Sequence, residues 1–121
     1  MWIQDALEGL ANKIYGIENH TPVLFTGTKN TDSGYCYGSY DPLTGLVTLD
    51  FCWLDDTSIS TSTKLFTVPE DYRPSSAQSG AGVCGSTSIN DYCRCSVNTS
   101  GEIKNLTHNS KMGFGSIKYY I

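Results

Sequence analysis

Leu46-Val47-Thr48-Leu49-Asp50-Phe51-Cys52-Trp53 alternates between two faces. In an extended chain Val47, Leu49, Phe51 and Trp53 fall on one side, and Leu46, Thr48, Asp50 and Cys52 on the other. A period of two, rich in β-branched and aromatic side chains, describes a strand with one face in a core. Tyr92-Cys93-Arg94-Cys95-Ser96-Val97 alternates too, with Cys93, Cys95 and Val97 inward. It runs into Asn98-Thr99-Ser100-Gly101 and then Glu102-Ile103-Lys104. That order reads as a hairpin whose Gly101 supplies a positive φ.

On either side of these strands, turn-forming clusters recur at 29–34, Asp41-Pro42, Asp55-Asp56, 69–71, Ser79-Gly80-Ala81-Gly82, 98–101 and 108–110. Between them strands are predicted near 23–27, 35–40, 46–53, 58–66, 82–87, 91–97, 102–106 and 116–121. Many short strands separated by turns predict an all-β fold, an antiparallel, jelly-roll-like β-sandwich.

The N-terminus differs. Ile3, Leu7, Leu10 and Ile14 are spaced four, three, four, and Ile17 adds another three. This 3.5-residue period is the a/d seam of a coiled coil. Gln4, Asp5, Glu8, Asn12 and Lys13 suit a solvated face, and Gly16 reads as the stop. The predicted division is therefore an oligomerisation helix over 1–16 and a β head over 17–121. Two heptads do not make a stable helix alone in water. The seam must pack on copies of itself or on its own β domain.

A chain of 121 residues suits one domain with one core. Charged residues make up 17%, below the usual ~25%, and Gly, Ser and Thr fill the difference. The surface is therefore neutral and rich in hydroxyls. Net charge is −4 and the basic residues are scattered, so no nucleic-acid partner is expected. No apolar run approaches the ~20 residues that span a bilayer, so no membrane insertion is expected. The N-terminus carries no basic, apolar and small-residue sequence of a secretory signal, and synthesis and folding in cytoplasm are expected.

The five cysteines, Cys36, Cys52, Cys84, Cys93 and Cys95, are an odd number. In a strand Cys93 and Cys95 share a face with Cα atoms about 7 Å apart, unfavourable for a mutual disulfide. They are expected to be reduced core residues. No zinc-ligand spacing occurs, and His20 and His108 sit in polar, loop-like segments; neither metal nor cofactor is expected. Asn19, Asn98 and Asn105 open Asn-x-Ser/Thr triplets, which a Thr- and Ser-rich chain contains by chance.

No nucleophile elbow, zinc-protease helix or phosphate loop is present. Asp50, Asp55 and Asp56 cluster, and paired carboxylates could cleave glycosidic bonds. Asp55-Asp56 followed by Thr57-Ser58 is nevertheless ordinary loop chemistry. A binding surface is the better expectation. Tyrosines and Trp53 beside carboxylates and hydroxyls can stack on sugars, and the candidates are Tyr35, Tyr37, Tyr40, Trp53, Asp55 and Asp56. Packing within strands or between subunits would use the same aromatics.

Phe66-Thr67-Val68-Pro69-Glu70-Asp71-Tyr72-Arg73-Pro74-Ser75-Ser76 is the most distinctive segment. It resembles the "lP.gYRPs" stretch of tail-fibre and receptor-binding proteins of tailed phages, mostly those of Gram-positive hosts. In that family a Gly-rich strand follows, matched by Gly82-Val83. A strand–turn–strand comes next, matched by Cys95–Ile103, and then a short aromatic strand, matched by Ile117–Ile121. The resemblance extends from about Thr44 to Ile121. It departs from the family where Cys93 and Cys95 replace apolar residues, and where no shaft or baseplate anchor is present. A small accessory protein or a terminal fragment would look this way. The resemblance implies a homotrimer of β-sandwich heads on a coiled coil. It also implies a virion component made in the host bacterial cytoplasm, in contact with other tail or baseplate proteins and with a host-surface polysaccharide. The expected function is therefore non-catalytic host adhesion. A purely structural assembly domain, a glycan-cleaving tail enzyme and an unrelated adhesive β domain are the alternatives. Tyr72-Arg73-Pro74 itself reads as a structural corner: Pro74 holds Arg73 extended, and the guanidinium can reach carbonyls.

Overall fold

The computed structural model describes residues 3–18, 21–85, 91–107 and 109–121, and side chains over the same ranges except 12–18. Among the described residues, one helix, α1 (Ile3–Glu18), precedes nine strands. These are β1 (Val23–Thr26), β2 (Thr28–Lys29), β3 (Ser33–Tyr40), β4 (Leu46–Ile59), β5 (Phe66–Thr67), β6 (Gln78–Gly85), β7 (Asp91–Val97), β8 (Glu102–Asn105) and β9 (Ser110–Tyr120). A 3-10 turn, Glu70–Tyr72, lies between β5 and β6.

All nine strands belong to one antiparallel sheet in the order β1-β3-β4-β9-β6-β7-β8-β5-β2. Two stacked sheets were expected; the strands form one sheet that nearly closes on itself. The closure comes from β1 and β2, the two ends of that order, which are halves of one extended segment. β1 pairs with β3, and β2 pairs with β5. Between them the Gly27 N–H donates to the Cys36 carbonyl at 2.9 Å. A Cβ on Gly27 would lie 2.9 Å from the Cys36 sulfur, so a side chain would pry the junction open.

The core lies inside this closed sheet. Val47, Leu49, Phe51 and Trp53 are buried, as the alternation of β4 requires, and so are Cys93, Cys95 and Val97 on β7. The interior mixes large and small residues along each cross-strand row. One row reads Cys36, Phe51, Gly115, Gly82, Cys93 over β3, β4, β9, β6 and β7. A Cβ on Gly115 would lie 2.9 Å from the Phe51 ring, and one on Gly113 would lie 2.3 Å from the Trp53 ring. Small barrels use this alternation because opposing walls are too close for large side chains everywhere.

The glycines also explain where prediction and structure part. Ser79-Gly80-Ala81-Gly82 is not a turn but the middle of β6, and β9 begins at Ser110 rather than 116. Their glycines sit where rings from β4, or the backbone of β9, occupy the space of a Cβ. The strand expected over 58–66 does not form. Its first residues end β4 past a register shift between Leu54 and Ile59, and a turn closed by Thr63 N–H to the Ser60 carbonyl follows. Asp55-Asp56 lies within that irregular part of β4. The helix runs through Gly16 to Glu18, two residues past the expected stop.

Candidate functional site

Trp53 is wholly buried, and its indole N–H donates to Ser110 Oγ at 3.3 Å. Asn105 Nδ2 donates to the same oxygen at 3.3 Å. This buried polar pair beneath the Trp satisfies the indole, so Trp53 is a core residue and not a sugar platform. Tyr40 also turns inward and is only half-buried. It tilts against Tyr72, which stacks on Phe25 with ring centres 4.2 Å apart.

Asp55 and Asp56 are tied into the backbone. The Asp55 carboxylate accepts the N–H of Thr57 at 3.2 Å and that of Asp32 at 3.4 Å, while the Asp32 carboxylate accepts the Asp56 N–H at 2.9 Å. The Thr57 N–H, above all, holds the Asp55 carboxyl below its ordinary range. These groups brace the irregular end of β4 against the turn that leads into β3. They do not converge with Asp50, which lies on the outer face of β4 in register with Tyr37 and Ser116.

Of the predicted aromatics, Tyr35 and Tyr37 remain exposed. Their rings stack at 4.8 Å on the outer face of β3. They mark one end of a larger feature absent from the sequence-based expectations. Register places Tyr35, Cys52, Phe114, Val83 and Tyr92 side by side on β3, β4, β9, β6 and β7. The row crosses the outside of the closed sheet, and Tyr92 is 87% exposed. Leu54 and Met112 widen it by one position. Over Gly82 and Gly115 the surface dips into a shallow cleft of about 300 Å³, walled by Phe114, Val83, Tyr92 and Asp50. A second cleft of about 440 Å³ lies on the other side of Tyr92, beside Arg94 and Thr107. Tyr92 and Phe114 are visible in the sequence only as outward positions of their strands; their alignment needs the strand order.

The helix seam is also exposed. Ile3, Leu7 and Leu10 are 79%, 60% and 55% exposed, so these three do not pack on the β domain. The Ile14 side chain lies outside the described residues, as do His20, Asn19 and His108.

The cysteines are reduced. Cys36, Cys84, Cys93 and Cys95 are buried, and Cys93 and Cys95 sulfurs stand 4.0 Å apart. Burial pushes the Cys36 and Cys95 thiols up to about 11, and pushes Cys93 up further with help from its Cys95 and Cys84 neighbours. Such thiols are poor nucleophiles and poor ligands. No group of three or more metal-ligating side chains could hold an ion among the described residues. No described helix is long and apolar enough to cross a membrane.

The Tyr72-Arg73-Pro74 segment is a corner. Arg73 is extended, with φ −77° and ψ 145°, and its Nε donates to the Val68 carbonyl at 2.9 Å. The Tyr119 hydroxyl donates to the Tyr72 carbonyl. Gly101, at φ +80°, passes under the guanidinium: a Cβ there would lie 2.7 Å from both Arg73 Nε and the Val68 oxygen. The corner therefore locks the 98–101 hairpin to the end of β5. Comparison with known proteins finds no matching family model and no similar curated protein.

Proposed function

We propose that this chain is a non-catalytic virion component of the tail-fibre or baseplate type. In this reading it is a homotrimeric head, gathered by its N-terminal helix, that recognises polysaccharide on a host cell surface. The observation that carries the proposal is the exposed seam of Ile3, Leu7 and Leu10 beside a β domain whose own core is complete without it. A two-heptad amphipathic helix needs tertiary partners to persist. The described part of its seam, Ile3, Leu7 and Leu10, finds none in its own domain, so copies of the chain supply them as a short parallel coiled coil. The nearly closed sheet then serves as the lobe of the head, one per copy. The stacked Tyr35–Tyr37 pair offers an apolar platform of the kind that the face of a pyranose covers. The Tyr72-Arg73-Pro74 corner supports the resemblance to tail proteins by its structural role and is not itself a binding group.

Light scattering on the purified chain, with a pull-down on intact cell walls of candidate hosts, tests both parts. A mass of three chains and retention on walls of at least one host are expected. Retention should be lost in Tyr35→Ala/Tyr37→Ala. A monomer at high concentration would overturn the trimer. A trimer retained on no wall would reduce the protein to an assembly domain.

A further inference from the structure

The row Tyr35, Cys52, Phe114, Val83, Tyr92 is a connected apolar band on the outside of the sheet, and its β7 end projects farthest. An exposed band of this kind marks a docking surface, with a protruding aromatic as its anchor. The charges beside it indicate the partner. One position along the same strands lie Tyr37, Asp50 and Ser116 on β3, β4 and β9, and Ala81 and Arg94 on β6 and β7. Neither Asp50 nor Arg94 makes a side-chain hydrogen bond or ion pair among the described residues. They stand three strands apart, roughly 14 Å at ~4.8 Å per strand, too far to meet within one chain. The band is thus flanked by a negative charge towards one end and a positive charge at the other. Charged in that order, the band fits a neighbour head to tail, the positive end of one copy against the negative side of the next, and such a contact closes as a ring.

We infer that a second copy of this chain covers the band, with Arg94 of one copy against Asp50 of its neighbour and Tyr92 entering the cleft beside Phe114. This rests on the self-association proposed above and names the face that the β domains use for it. It leaves the Tyr35–Tyr37 pair at the margin of the contact, where a ligand could lie between copies. Opposite charges that are desolvated at an interface set register and partner choice more than raw affinity. The band supplies the affinity and the charge pair supplies the alignment.

Sedimentation or light scattering over a dilution series reads the outcome for the wild-type chain and five variants. Phe114→Asp should weaken association by ~100-fold or more, since it places a charge in the centre of the contact. Asp50→Arg and Arg94→Asp should each weaken it by ~10-fold or more, and the double reversal should return to within ~3-fold of wild type. Both charged residues are exposed, so their reversal leaves folding intact even if Phe114→Asp does not fold. Single reversals without effect, or a double reversal no better than its parts, would overturn the inference. Should Leu7→Asp alone dissociate the protein while the face variants leave its mass unchanged, the helix reading would stand and this one would fall. A wild-type monomer would remove both. Loss of cell-wall retention in Phe114→Asp at unchanged mass would assign the band to the glycan instead, and would also overturn it.

Discussion

Two rows cross the same five strands one residue apart. The inner row, Cys36, Phe51, Gly115, Gly82, Cys93, sets one ring among glycines and thiols, and every large atom has a partner in the same chain. The outer row, Tyr35, Cys52, Phe114, Val83, Tyr92, carries three rings and no glycine, and its rings face outward without cover. The strands are the same and the backbone hydrogen bonds are shared. What differs is where the complementary surface lies: inside the sheet for one row, outside the chain for the other. A closed sheet can complete its core on its own and still leave an apolar band unmatched, and such a band is more informative about partners than any buried residue.

Phenylalanines in the two rows give the largest test of that contrast. Phe51→Ala should cost the fold about 3–5 kcal/mol, as truncation of a buried ring does, whereas Phe114→Ala should stay within about 0.5 kcal/mol in dilute protein. Urea unfolding followed by circular dichroism, at a concentration that leaves the chain monomeric, measures both. Equal costs would mean that the outer ring packs within the chain. A smaller effect probes why the inner row alternates. Gly115→Ala forces a methyl group to within 2.9 Å of the Phe51 ring. It should cost about 1–3 kcal/mol by overpacking, and combining it with Phe51→Leu should cost less than the two changes added. Simple additivity would show that glycine is needed there for another reason.

How much of this was legible follows from which interactions are local. The faces of β4 and β7 could be read because alternation is a property of one strand, and the 98–101 hairpin because its turn residues are adjacent. Alternation also places Trp53 on the buried Val47 face, a position incompatible with a sugar platform whatever the residue type. The first half of β9 and the middle of β6 were hidden because Gly113, Gly115, Gly80 and Gly82 look like strand breakers. Their role depends on rings and backbone from strands distant in sequence. The outer band was hidden for the same reason: it exists only once register brings five strands into line. The seam of α1 was visible from spacing, but its exposure was not, because periodicity cannot say what a helix packs on.

The corner beside the 98–101 hairpin lies between the two rows in expected effect. Arg73→Ala removes the side-chain donor to the Val68 carbonyl. A loss of about 1–3 kcal/mol is expected, the usual cost of an acceptor left without its charged donor. Arg73→Lys should recover only part of it, because a flexible ammonium does not reproduce the directed Nε–H. If both variants match wild type in urea, the segment holds nothing together, and a binding role for Arg73 would become the better reading.

The mildest test changes no residue. Cys52 is the one cysteine on the outer row; Cys36, Cys84, Cys93 and Cys95 are inside. A thiol reagent attacks the thiolate; burial blocks its approach to the inner sulfurs and, at Cys36, Cys93 and Cys95, also keeps the thiol protonated. For Cys36 and Cys95 the proton is held until pH nears 11, whereas the unfolded chain releases it near the ordinary value of 9.0. The folded protein should therefore label at Cys52 alone from neutral to mildly alkaline pH, and all five sites should label in denaturant. Mass spectrometry of the labelled protein counts them. Adding the band's own partner sharpens the contrast further. Where copies of the chain cover the outer row, Cys52 labelling should slow as protein concentration rises, while in Phe114→Asp it should stay fast at every concentration. A Cys52 rate indifferent to concentration in an associated protein would place the contact elsewhere, since the residue sits between Tyr35 and Phe114 and cannot stay open beneath a neighbour.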